Sequence, residues 1–155
     1  MMTNNDENEI KITEKGVRGI PTRAARIKRY KDRLTYLRAK STCLPGLQTD
    51  DRVQTSRTNR SMTISDTLMD LEHEITKEEA ELESIKRAAS NYFMQYDLTL
   101  EERELLDYRY INCYQWSDVA SLLYVGERTA RWRHAKILKK LFPQDVTDNK
   151  TTDKL

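Results

Sequence analysis

The sequence predicts an all-α protein: a helical hairpin followed by a small helix-turn-helix domain. Three observations carry that expectation. Gly and Pro number only four and three in 155 residues while 34% of residues are charged, and the mean hydropathy is −0.82; this is a composition of long solvated helices rather than sheets. Two stretches carry seven-residue apolar repeats, and a third, residues 115–141, divides into two short amphipathic segments around a tight turn.

Residues 1–18 are polar and mixed in charge, with little to bury, and are expected to form a disordered tail. Pro21 suits the first turn of a helix. From there Ile20, Ile27 and Leu34 recur every seven residues, and Tyr30, Leu37 and Leu44 form a second series. Pro45-Gly46 ends this first helix. Residues 11–40 hold eleven Lys/Arg against Glu14 and Asp32, a net charge of +9. Residues 43–62 are rich in Thr, Ser, Asp, Asn and Arg without periodicity, and read as a mobile loop.

The second helix is expected to start near Thr63, with Asp66 completing a weak capping pair. Leu68, Ile75, Leu82, Ala89 and Tyr96 form one series; Ile64, Leu71, Glu78, Ile85 and Tyr92 form the other, with Glu78 its only charged member. Residues 66–87 hold eight Asp/Glu against three Lys/Arg, a net −5. Opposite charge and matching stripes predict an antiparallel hairpin over 19–97. The second helix is the longer, so Ala89, Tyr92, Phe93 and Tyr96 need a partner outside the hairpin. The candidates are the C-terminal domain and, as the expected homodimer contact, a second copy of the chain.

Residues 98–142 make the last domain, with a polar tail at 143–155. Thr99 and Glu102 have the spacing of a capping box, and Leu105, Leu106, Tyr108 or Arg109, and Ile111 face the core. Val119, Ala120, Leu122 and Leu123 are the apolar face of the next helix, and Gly126 supplies backbone freedom in the turn. The last helix places Ala130, His134, Ile137, Leu138 and Leu141 on one side by three-and-four spacing. Residues 127–140 carry six Lys/Arg against Glu127, a net +5. A packed helix, a sharp turn and a basic helix are the parts of a double-stranded DNA reader. Arg128, Arg131 and Trp132 are the candidates for base contacts, and Ser117, Arg133 and Lys136 for phosphates, with Glu127 and Thr129 on the same exposed stretch. Trp116 is expected in the core and His134 packed rather than acting as a ligand. The basic first helix could be a second nucleic-acid surface, but compensation by its acidic neighbour is the simpler explanation.

Residues 98–141 resemble region four of bacterial sigma factors. The resemblance rests on LLDYRYI, Asp118-Val119-Ala120, Leu123, the turn Tyr124-Val125-Gly126, and the ending Leu138 to Leu141. With DRVQTS at 51–56 and the acidic helix after it, residues 20–141 are similar to small phage regulators of the ArpU/RinA-like group. Gly126 and Gln115 depart from the pattern, standing where capping Ser or Thr is usual. The resemblance implies a sequence-specific transcriptional regulator of phage or prophage late genes that acts with host RNA polymerase. A structural coiled-coil protein and a phage DNA-packaging accessory protein are the alternative expectations.

No glycine-rich phosphate loop, nucleophile motif or cofactor fingerprint is present in the sequence, so neither an enzyme nor a cofactor is expected. Cys43 and Cys113, with His73 and His134, lack metal-ligand spacing, and free thiols in a reducing cytoplasm are expected. The start MMTNNDENEI has no apolar signal core, and no run approaches the roughly 20 apolar residues of a membrane span. The expected location is the cytoplasm of a bacterial host.

Overall fold

The computed structural model describes residues 10–42 and 54–143, the side chains of 54–62 excepted. Cys43, Leu44, Pro45-Gly46, half of the expected N-terminal tail and most of the expected C-terminal one lie outside them. Among the described residues every regular element is a helix and there is no strand: α1 (Glu14–Thr42), α2 (Gln54–Met94), α3 (Leu100–Leu106) running into a π-helical turn (Asp107–Ile111), α4 (Trp116–Leu122) and α5 (Glu127–Leu141). None of these helices is long and apolar enough to cross a membrane.

The chain divides into two compact units, Arg23–Leu82 and Met1–Thr22 with Glu83–Leu155. The division runs through both long helices, whereas the sequence places its boundary between residues 97 and 98.

In the Arg23–Leu82 unit, Ile27, Ile75 and Leu82 are buried, while Leu34, Leu37, Leu68 and Leu71 are half-buried. Two helices have only one seam to share. Along it run four ion pairs: Arg23–Glu81 (3.3 Å), Arg26–Glu78 (2.7 Å), Lys31–Glu79 and Arg38–Glu72. Positions falling along α1 broadly meet positions rising along α2, the order given by antiparallel helices. Glu78, the charged member of the apolar stripe, is half-buried and answered by Arg26.

The other unit holds the larger core, and α1 contributes to it earlier than its sequence suggests. Helix begins at Glu14, inside the expected tail. The Thr13 hydroxyl accepts the Gly16 N–H at 3.1 Å, its carbonyl accepts the Val17 N–H at 3.0 Å, and Arg18 pairs with Glu14 at 2.7 Å. Pro21 therefore lies inside the helix rather than in its first turn. An interior proline costs roughly 3 kcal/mol, and the full burial of Val17 and Ile20 offsets it. Helix α2 likewise starts at Gln54, within the expected loop, and no Gly or Pro interrupts it before Met94.

The aromatic end of α2 packs within its own unit. Tyr92 stacks on Phe142 (5.3 Å, 11°) and donates from its hydroxyl to the Leu141 carbonyl at 2.8 Å; Phe93 tilts against Tyr110 at 6.3 Å. Ala89 and Phe93 are buried. Part of the aromatic end expected to need an outside partner thus packs on the chain's own C-terminal residues, with Tyr92 and Tyr96 half-buried.

The capping box at α3 is present, with Thr99 Oγ1 accepting from the Glu102 N–H (3.3 Å) and Glu102 Oε2 from the Thr99 N–H (3.0 Å). The expected face is only partly observed: Leu105, Leu106 and Tyr110 are buried, while Tyr108, Arg109 and Ile111 are half-buried. Tyr110 stands four residues after Leu106, on the same helix face, and a π turn over Asp107–Ile111, closed by Asn112 N–H to Asp107 O at 2.9 Å, ends the element.

The turn after α4 also differs from expectation. Tyr124 N–H donates to Ser121 O (3.2 Å) and Val125 N–H to Ala120 O (3.0 Å), the paired bonds of a Schellman closure. Its left-handed position is taken by Tyr124 at φ 54°, not by glycine; Gly126 is extended at φ −75° and caps α5 through its carbonyl. Tyr124 is 95% exposed, so its side chain gains nothing from the core. Tyr124→Gly is expected to raise the unfolding free energy by about 1 kcal/mol by removing the left-handed cost of a side chain. Gly126→Ser should add only a few tenths as a better cap, since a Cβ there meets nothing within 4 Å. Urea titration of both variants checks the ranking; a destabilised Tyr124→Gly variant would mean the tyrosine ring has a partner in the folded chain.

Candidate nucleic-acid interface

The site is built from the core outward. Ala130, His134, Ile137, Leu138 and Leu141 are all buried, which fixes the roll of α5 about its axis. Beneath it, rings form a row. Phe93 meets Tyr110, Tyr110 meets His134 at 5.6 Å, and Trp116 abuts His134 edge-on at 4.9 Å. The Tyr110 hydroxyl and His134 Nε2 share a hydrogen bond at 2.5 Å. Burial pulls the His134 imidazole down to about 4, with Arg18 and Arg109 adding to it. Burial pushes the Tyr110 phenol up to about 12. Both groups are therefore uncharged at neutral pH, as a packed core requires.

Trp116 is half-buried, between the core and the surface. The guanidinium of Arg109 lies 4.8 Å from its ring centroid and that of Arg131 5.3 Å away. Two cations are thereby held by one indole ring, each interaction worth about 0.5–1 kcal/mol at exposed sites. Arg109 also donates to the Tyr114 carbonyl at 2.7 Å. With Tyr114 N–H to Tyr108 O (2.9 Å), this bond closes the loop that delivers α4. Desolvation, and to a smaller degree Arg131, lowers the Arg109 pKa, but a guanidinium starts so high that the charge persists. Cys113, in the same loop at φ 57°, is half-buried, and burial pushes its thiol up, away from a reactive thiolate.

Each residue assigned to DNA from the sequence can now be placed. Glu127, Arg128, Thr129, Arg131, Trp132 and Lys136 are exposed on α5, Ser117 is exposed on α4, and Arg133 is half-buried. Arg131 pairs with Glu127 at 3.5 Å, one turn back along the helix. Trp132 is 57% exposed, and the Lys136 ammonium sits 3.7 Å from its ring centroid. Arg128 has no carboxylate partner among the described residues. The apolar face of α4 is narrower than its composition: Val119 and Ala120 are buried, but Leu122 is exposed because it falls on the far side of the short helix.

Two acidic residues of α3 belong to this surface and carry no sequence signal for it. Glu101 accepts from Arg133 at 3.3 Å and Glu102 from Lys140 at 2.5 Å. Lys140 is the first cause of the lowered Glu102 pKa. These exposed pairs are worth about 0–1 kcal/mol each, so they orient the cations more than they neutralise them. Arg128, Lys136 and Lys139 remain free of carboxylates among the described residues.

No family model, no curated protein and no solved structure matches the chain.

Proposed function

We propose that this protein is a sequence-specific, DNA-binding transcriptional regulator. It consists of an antiparallel helical hairpin followed by a helix-turn-helix domain of the sigma region-four kind. In this reading it serves phage or prophage late genes in the bacterial cytoplasm, as an ArpU/RinA-like regulator acting with host RNA polymerase.

The observation that carries the reading is the division of α5 into two faces. One is locked into the core through His134, Ile137, Leu138 and Leu141; the other leaves Arg128, Lys136 and Lys139 exposed, directly after a Schellman-closed turn. Arginine beside the helix start can pair with guanine edges in the major groove, and lysine further along meets phosphates. Trp132, exposed and capped by Lys136, offers an apolar contact on the same face. Residues 23–82 by themselves favour the structural coiled-coil alternative, through their four interhelical ion pairs. That alternative leaves the exposed cations of α5 without a use.

The test is binding of the full chain to a duplex from the control region of its phage's late genes, against random duplex. Arg128→Ala and Arg131→Ala should each weaken the specific complex by about 1–3 kcal/mol, while Lys136→Ala weakens all sequences alike and lowers the salt slope by about one. Transcription from that region should respond only to polymerase carrying a sigma factor. No preference for the control region at moderate salt would leave the regulator reading without support and return the protein to the structural alternative.

A further inference from the structure

The first helix carries far more positive charge than its acidic neighbour answers. Within Arg23–Thr42 the ion pairs engage Arg23, Arg26, Lys31 and Arg38. Lys28, Arg29, Arg33 and Lys40 have no carboxylate partner among the described residues. Asp32, the one carboxylate on this stretch of α1, makes no ion pair with them.

Three of these free cations share a face. Arg29, Arg33, Tyr36 and Lys40 follow one another at spacings of four, three and four, which aligns them along one side of a helix. At 1.5 Å per residue the stripe is about 16 Å long. All four residues are exposed, Tyr36 at 64%. Arg29 and Arg33, one turn apart, repel each other, and neither side chain is packed into the core. A row of unanswered cations with an exposed tyrosine among them matches the regular negative charge of a nucleic-acid backbone. Duplex DNA presents one charge per roughly 1.7 Å of its axis.

We propose that this stripe is a second duplex-DNA contact, one that binds phosphates and reads no sequence. The inference rests on the reading of the protein as a DNA binder, but it concerns residues outside the helix-turn-helix. Charge compensation by α2 accounts for half the cations of this stretch, and the stripe is what it leaves over.

The experiment uses the full chain carrying Arg29→Ala, Arg33→Ala and Lys40→Ala together, with affinity measured against salt on the control-region duplex and on random duplex. The expected result is an equal fractional drop in affinity on both, and a log–log salt slope shallower by about 2–3, near 0.9 for each phosphate that is no longer neutralised. Replacing Arg29 and Arg33 by Lys should keep the slope. Since the side chains are exposed, the helical circular-dichroism signal and melting midpoint should hold. An unchanged slope overturns the proposal, as it would if the stripe instead met an acidic protein; so does a drop confined to the specific duplex. If the unmutated protein binds duplex without preferring the control region, the regulator reading fails while the stripe is still judged by the slope. If it binds no duplex, both fail.

Discussion

Phe93→Ala should lower the unfolding free energy by about 3–5 kcal/mol, the usual cost of emptying a buried phenylalanine site. Met94→Ala, one residue further on, should change it by less than about 0.5 kcal/mol. Phe93 is buried against Tyr110, which in turn backs His134 under α5, whereas Met94 is 67% exposed. The contrast tests whether the end of α2 belongs to the core beneath the basic helix. Urea unfolding of the two variants decides it. A change below about 1 kcal/mol for Phe93→Ala would detach α2 from that core. A midpoint that rises with protein concentration would instead place the aromatic end between two copies of the chain. The same reasoning applies to a fragment of residues 98–142. It would lack Val17, Ile20, Ala89 and Phe93, all buried in this unit, and should be poorly folded by itself.

What the sequence made legible is what local spacing encodes. The five core residues of α5, the Thr99–Glu102 box and the outward placement of Arg128, Arg131 and Trp132 all follow from helical periodicity within a few turns. What it hid depends on distant partners. The polar, mixed-charge stretch up to residue 18 reads locally as a tail, and only the burial of Val17 and Ile20 in the C-terminal unit explains why α1 starts at Glu14. The π turn at Asp107–Ile111, closed by Asn112 N–H to Asp107 O, carries no signal in the local spacing. Gly126 is the obvious residue for the turn, but the left-handed position falls two residues earlier, because the Schellman bonds count from the end of α4. At the candidate interface, Glu101 and Glu102 lie 32 and 38 residues from the cations they face, and no spacing rule joins them.

Acid should weaken the fold through His134, and over a defined window. Its folded-state value of about 4 lies below the ordinary value near 6.5. Between the two the unfolded chain binds a proton that the folded chain refuses. Stability is therefore at its full value above pH 6.5 and declines as pH falls toward 4, by about 3 kcal/mol in all. The refusal is physical: the ring is 6% exposed, wedged between Tyr110 and Trp116, and the nearby charges, Arg18 and Arg109, are positive. Glu102 is held low by Lys140 and Thr99, so its contribution disappears only at the acidic end of the carboxylate range, while Asp107, raised by burial, acts in the opposite sense to the histidine. His134→Gln keeps a hydrogen-bonding group beside the Tyr110 hydroxyl but cannot titrate. Its stability should lose the decline between pH 7 and 5. Unfolding free energies at half-unit intervals would show it. A slope that survives in His134→Gln assigns the acid sensitivity to other groups, and a flat profile in the unmutated protein means the imidazole accepts its proton inside the fold.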